Sequence, residues 1–243
     1  MEAADTVHTQ VVMEGAFLEY GLPERIRSDN GAPFGSNGRG GLTRLAVWWM
    51  RLGIQPERIQ PGRPQQNGRH ERMHLTLQQE TAEPPAASLR GQQQRFNAFL
   101  KEYNNDRPHE ALQMSTPSEY YRRSAREYPK RLPEATYPTG WEVRHVGKSG
   151  QFKLWTTEVF VSHALAGQQI GLHPLAGETE QYWKIHFMNC DLGVLDVKAP
   201  RIWTSTQWSK RKDAGPERTK GRGGKRPPEK DSAREKQNNK TFL

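Results

Sequence analysis

Cysteine is nearly absent. Cys190 is the only one in 243 residues, which excludes a disulfide scaffold and any cysteine-based zinc finger. Long apolar runs are missing too: no stretch approaches the ~18 consecutive apolar residues of a membrane span. The N-terminal MEAADTVHTQ lacks the basic-then-apolar order of a signal peptide. These absences point to a soluble, cytoplasmic chain with no membrane partner. Apolar residues as a whole are scarce, 33% at a mean hydropathy of −0.95. That is thin for one core spread over the whole length, so part of the chain is expected not to pack. At roughly 150 residues per domain the length allows one large domain or two smaller ones.

Positive charge is what the sequence has in excess, with 36 Lys and Arg against 27 Asp and Glu for a net +9. A basic balance suggests a polyanion partner, nucleic acid above all. The charge is unevenly placed. Residues 209–243 hold 12 Lys and Arg and 5 Asp and Glu, leaving only 24 − 22 = +2 for the rest. With almost no large apolar residue before Phe242, residues 206–243 are expected to form a disordered basic tail, either solvating or gripping phosphates.

Prolines 129, 133 and 138 mark residues 125–139 as an extended linker. Upstream, residues 1–124 alternate helix and strand. A helix over 4–20 places Val11, Val12, Phe17 and Leu18 on an inward stripe and stops at Gly21 and Pro23. A strand over Glu24–Ser28 breaks at Asp29-Asn30-Gly31. An amphipathic helix over 42–52 points Leu42, Leu45, Val47, Trp48, Trp49 and Leu52 inward and leaves Arg44 and Arg51 solvated. Another strand over 54–60 and helices over 65–82 and 88–104 complete an α/β layer arrangement. From 140 to 205 the period changes. WEVRHV, QFKLW, TEVFVS, QQIGLHP, QYWKIHF and GVLDVK are short β segments separated by turns, as in a small all-β barrel.

Two constellations could carry chemistry, and they share one glutamate. HERMH at 70–74 fits H-E-x-x-H, in which His70 and His74 share one helical face and could bind Zn²⁺ with Glu71 as general base, the pattern of a zinc peptidase. The second pairs Asp29, at the end of a strand, with Glu71, in the first turns of a helix. Paired carboxylates without cysteine suit hard ions such as Mg²⁺ or Mn²⁺. Two such ions can activate water or a hydroxyl for phosphoryl transfer.

The blocks YGLPERIRSDNGAPF (20–34), LAVWWMRLGIQPERIQPGRPQQNGRHERMHLTL (45–77) and FLKEYNNDRPHEAL (99–112) give this sequence a likeness to a known family. It resembles the DDE transposase/retroviral-integrase superfamily, in particular the bacterial insertion-sequence transposases with an integrase-type catalytic core. The resemblance implies an RNase H-like α/β core that uses three acids, with Asp29 matching the second and Glu71 the third, both as catalytic residues and metal ligands. It implies Mg²⁺ or Mn²⁺ in a two-ion site and DNA as partner, both element ends and target. A homo-oligomer, or a mixed oligomer with an intact transposase, would act in the bacterial cytoplasm and associate with the nucleoid. Pro64, Gln66, Asn67 and Gly68 match the loop beside the third acid, and Arg69, Arg72 and His74 are candidate DNA contacts. HERMH then looks like a chance pattern around an integrase glutamate. Tyr103, Arg107, Pro108 and His109 form a compact motif expected to pack and cap rather than catalyse. Residues 140–200 look like the β-barrel that follows such cores and contacts DNA.

One departure shapes the functional expectation. In this family the first catalytic Asp lies on the first core strand, well upstream of the second, whereas only 28 residues precede Asp29 and they read as the helix leading into its strand. Asp5 falls in that helix rather than on a strand. The first acid, about three core strands and the end-recognition domains are therefore expected to be missing, leaving an incomplete core that exposes a sheet edge. The reading is a DDE-type transposase, truncated and impaired in strand transfer by itself. A non-catalytic DNA-binding fragment that modulates an intact transposase is the alternative.

Overall fold

A computed structural model describes residues 6–60, 68–177 and 181–213 and, within these, not the side chains of Arg69, His70, Lys212 and Asp213. Helix α1 (Thr6–Tyr20) leads through Gly21 into strand β1 (Arg25–Ser28). Helix α2 (Arg44–Arg51) leads into β2 (Gln55–Arg58), which runs parallel to β1 in the register Arg25↔Gln55 to Ser28↔Arg58. Helices α3 (Gly68–Thr81), α4 (Leu89–Asn105) and the single-turn α5 (Pro117–Tyr120) follow. The C-terminal half holds β3 (Glu142–His145), β4 (Gln151–Leu154), β5 (Thr157–Phe160), β6 (Gln169–Pro174), β7 (Tyr182–Phe187), β8 (Cys190–Asp196), β9 (Arg201–Trp203) and helix α6 (Ser205–Asp213).

Helix α2 organises the molecule. Thr43 caps its start, accepting from the Ala46 amide at 3.1 Å. Its end is a Schellman turn in which Gly53, at φ 69, donates to Met50 O and Ile54 donates to Trp49 O, both at 2.9 Å. Every residue from Leu45 to Met50 is buried, so the helix is apolar all round and must be covered on two sides. Leu45, Trp48, Trp49 and Leu52 meet Phe17, Leu22 and Ile54 in one core. Leu42, Ala46, Val47 and Met50 enter a second core with Val146, Phe152, Leu165, Ile185 and Phe187 of the β region. One helix thus belongs to both halves.

Arg51 departs from the expected solvated position. Its guanidinium donates to Leu132 O, Pro133 O and Gln168 Oε1 at 3.1, 2.8 and 3.3 Å, because the strand-free chain over 121–141 lies across the end of α2. That chain is extended, as the prolines require, but fastened along its length. Leu22 N donates to Arg126 O at 2.7 Å, and Arg126 donates to the carbonyls of Pro23, Leu52 and Gly53. Tyr128 and Leu132 pack on the Trp core, and Ala135 is buried in the β-region core.

Helix α1 reverses the expected stripe. Phe17 is buried, but Val7, Val11, Val12 and Leu18 are 69, 64, 72 and 59% exposed. The face turned toward α2 and Tyr128 carries Met13 and Phe17, and only the last turns of the helix find apolar cover.

The β region is a five-stranded antiparallel sheet in the order β3-β6-β7-β8-β9, with β4-β5 as a separate hairpin. Along β7 burial alternates, so that Trp183, Ile185 and Phe187 point inward while Tyr182, Lys184 and His186 point outward. Strand β9 was not among the expected segments. Nor was α6, which occupies the start of the stretch read as a disordered tail; residues 214–243 lie outside the described residues. Thr204 and Gln207 form its capping box, Gln207 N donating to Thr204 Oγ1 at 3.2 Å and Thr204 N to Gln207 Oε1 at 3.0 Å. Trp208 then packs on Tyr182, ring centroids 4.7 Å apart.

Candidate active site

The C-terminal ends of the parallel pair β1-β2 hold Asp29. In open α/β sheets this is the end where ligands bind. Ile59 N continues the pairing by donating to Ser28 O at 3.2 Å, and Asn30 Nδ2 donates back to Ile59 O at 3.1 Å. Between those two bonds sits Asp29. Its Oδ1 accepts the Gly31 amide at 3.1 Å, the local turn that an Asp-Asn-Gly sequence favours, and the rest of the carboxylate is exposed. Phe34 fixes the far side of the turn by stacking on Trp49, centroids 6.1 Å apart and planes 20° from parallel. The turn is tied on both sides of Asp29, and its carboxylate is open to solvent.

Glu57, on β2, answers two arginines of β1. It accepts from Arg25 at 2.9 Å and Arg27 at 3.2 Å, and these bonds hold its carboxyl below the usual carboxylate range. Committed in this way, Glu57 braces the two strands rather than offering a free ligand.

Glu71 lies in the first turn of α3 and is exposed. A carboxylate there is favoured by the positive end of the helix dipole. Gly68 starts the helix, Arg72 and His74 lie on its exposed surface, and Thr76 bonds back to Arg72 O at 3.0 Å. Pro64, Gln66 and Asn67, together with the side chains of Arg69 and His70, lie outside the described residues. The zinc-type pattern therefore has one described imidazole, that of His74.

Among the described residues no group of three or more His, Cys, Asp or Glu gathers to hold a metal ion. The structure places Asp29 and Glu71 on their elements without a hydrogen bond between them. As a donor set they are oxygen-only and exposed, which fits Mg²⁺ or Mn²⁺ in kind. A cavity of about 870 Å³ opens elsewhere, between β2, α2 and the β7–β8 turn, lined by Arg58, Met50 and Cys190 among others but by neither acid. Burial pushes the Cys190 thiol up, so it is an inert wall there.

The YNNDRPHEAL motif packs and ties α3 to α4, and His109 at the start of the following 3-10 turn makes no side-chain cap bond. Tyr103 packs between Phe99 and His109 at 5.3 and 4.6 Å, and Arg107 bridges Glu80 of α3 to Glu102 of α4 at 2.7 and 3.4 Å. It fixes the far end of the helix that carries Glu71. Missed in the sequence was the anchoring role of Asn30, whose signal is only its place beside Asp29 in the Asp-Asn-Gly turn.

Residues 52–117 match the integrase core domain family. That stretch includes Glu71 and the Tyr103–His109 motif, and Asp29 lies outside it. Among solved structures it aligns with a chain of the simian T-cell lymphotropic virus intasome in complex with PP2A regulatory subunit B56 gamma. The TM-score is 0.41 and the identity 16%, over 83% of this chain and 67% of that one.

Proposed function

We propose that this chain carries part of the catalytic apparatus of a DDE-type transposase acting on DNA phosphodiesters. Asp29 and Glu71 are its acids, and DNA is its partner. The observation that carries the reading is the Asp29 turn. An exposed carboxylate is locked at the C-terminal end of one strand of a parallel pair, and the neighbouring strand runs on into the integrase-core stretch that bears Glu71. A divalent ion held by these carboxylates would activate the attacking hydroxyl or water and stabilise the leaving oxygen. Asn30 and Phe34 orient Asp29, the dipole of α3 favours ionised Glu71, and Arg107 holds α3 against α4. Arg72 and His74 lie on the same helix as Glu71 and are the side chains assigned to DNA phosphates near it.

The test is nicking of supercoiled plasmid by the purified chain in Mn²⁺ and in Mg²⁺. Metal-dependent nicking should be lost in both Asp29→Asn and Glu71→Gln, by about a hundredfold or more. Nicking that survives both substitutions removes the acids from the mechanism. A wild-type chain that binds DNA in a gel shift but never nicks it removes catalysis from this chain.

A further inference from the structure

The loop that Asp29 opens ends in a single 3-10 turn, Arg39–Gly41, just before α2. This turn lies against β8, since a Cβ at Gly40 would come within 3.0 Å of Cys190 Sγ and 3.2 Å of Leu192 Cδ2. Strand β9 pairs with β8 in the register Asp196↔Arg201 and Val194↔Trp203. Arg201 lays its guanidinium 3.9 Å from the centre of the Trp203 ring, and Arg211 of α6 stands 4.9 Å from that centre. Loop, strand and helix thus deliver three arginines to one junction.

Counter-charge is short at this junction. Asp196 faces Arg211 with Oδ2 at 3.9 Å, while its Oδ1 accepts from Gln181 and the amides of Lys198 and Ala199, so this one carboxylate is the counter-charge for Arg211. Neither Arg39 nor Arg201 forms an ion pair or a side-chain hydrogen bond with any described residue. Arg39 is half-buried, and both its burial and the neighbouring charge of Arg201 work against its protonated form. A guanidinium brought out of water beside a like charge is an unfavourable arrangement unless an anion completes it. The planar fork of arginine matches the oxygens of a phosphate, and Trp203 holds one of the forks in place from below.

We propose that Arg39 and Arg201, with Arg211 behind them, form a phosphodiester-binding subsite that clamps the DNA backbone between the Asp29 loop and the β region. The proposal rests on the reading of DNA as substrate. Helix α6 is held to the sheet by Trp208 on Tyr182 and by Ser205, which donates to Asp191 at 2.7 Å, and this sets Arg211 beside Trp203. The subsite places a backbone grip on the very loop that carries the second acid.

The experiment measures binding of the full chain to a short DNA duplex across a salt series, alongside its melting temperature with and without inorganic phosphate. In the double variant Arg39→Gln/Arg201→Gln the log–log salt slope should shrink by about 1.8, roughly 0.9 for each lost phosphate contact. Arg144→Gln serves as control and should leave the slope unchanged, because Arg144 is paired with Glu142 at 2.6 Å on a distant strand. Inorganic phosphate should raise the melting temperature of the wild type and not that of Arg39→Gln. In phosphate-free, low-salt buffer Arg39→Gln should melt no lower than wild type, since it relieves a like-charge contact. A double variant with an unchanged slope overturns the subsite. So does phosphate stabilisation that persists in Arg39→Gln, or an Arg39→Gln chain that melts several degrees low without phosphate. A wild type that binds no DNA yet is stabilised by phosphate through Arg39 supports the subsite while refuting DNA as its ligand.

Discussion

Asn30 and Ile59 lie just past the ends of β1 and β2, and the side-chain amide of the first donates to the carbonyl of the second at 3.1 Å. That bond joins the turn carrying Asp29 to the segment that leads toward α3. Replacing Asn30 with alanine removes the donor but leaves an exposed carbonyl that water can satisfy. The expected stability loss is therefore about 0.5–1 kcal/mol. Nicking should suffer more than stability, because the aim of Asp29 depends on this tie. Thermal melts beside plasmid nicking separate the two effects. An Asn30→Ala chain that nicks at the wild-type rate would show that the Asp29 turn holds itself.

Arg126 concentrates the attachment of the extended stretch to the first core. Its guanidinium donates to Pro23 O at 2.9 Å, Leu52 O at 2.7 Å and Gly53 O at 2.9 Å. Three charge-assisted bonds from one half-buried group make Arg126→Ala costly, about 2 kcal/mol. Arg126→Lys recovers only part of this, since an ammonium cannot span the fork of carbonyls. Urea unfolding should show a lower midpoint with an unchanged slope. A midpoint within experimental scatter of wild type would mean that Tyr128 and Leu132 alone hold the stretch down.

Local chemistry made much of this molecule legible. The alternation of β7, the Thr43 and Gly53 boundaries of α2 and the Asp29-Asn30-Gly31 turn all follow from residues within a few positions of one another. What was not legible depends on partners far along the chain. Nothing near Arg51 announces that Leu132, Pro133 and Gln168 will surround it. The α6 capping box was present in Thr204-Ser205-Thr206-Gln207, but the basic composition after it obscured the signal. Helix α1 is the sharpest case, since periodicity finds an apolar stripe without saying whether anything covers it. The two faces predict opposite outcomes. Phe17→Ala should cost about 3–5 kcal/mol, whereas Val11→Gln should stay within about 0.5 kcal/mol of wild type. Equal losses in chemical denaturation would mean that Val11 is covered in solution.

His186 makes stability depend on pH, and the sign follows from its surroundings. Its ring faces outward from β7 and stacks with Trp141 and His173, centroids 5.1 and 5.5 Å away. Burial pushes its pKa below the ordinary 6.5, Lys184 and His173 push the same way, and Asp191 opposes them. On acidification the unfolded chain therefore takes up this proton first, near 6.5, while the folded ring is still neutral. Stability falls as the pH drops through that value toward the depressed one, and below it the loss levels off. His186→Gln deletes this dependence and leaves that of the other histidines. The melting temperature of the variant should decline less than that of wild type between about pH 7.5 and about pH 5.5. Parallel declines in the two proteins would show that the folded ring is protonated as readily as the unfolded one, and that the Trp141 stack accepts the imidazolium without cost.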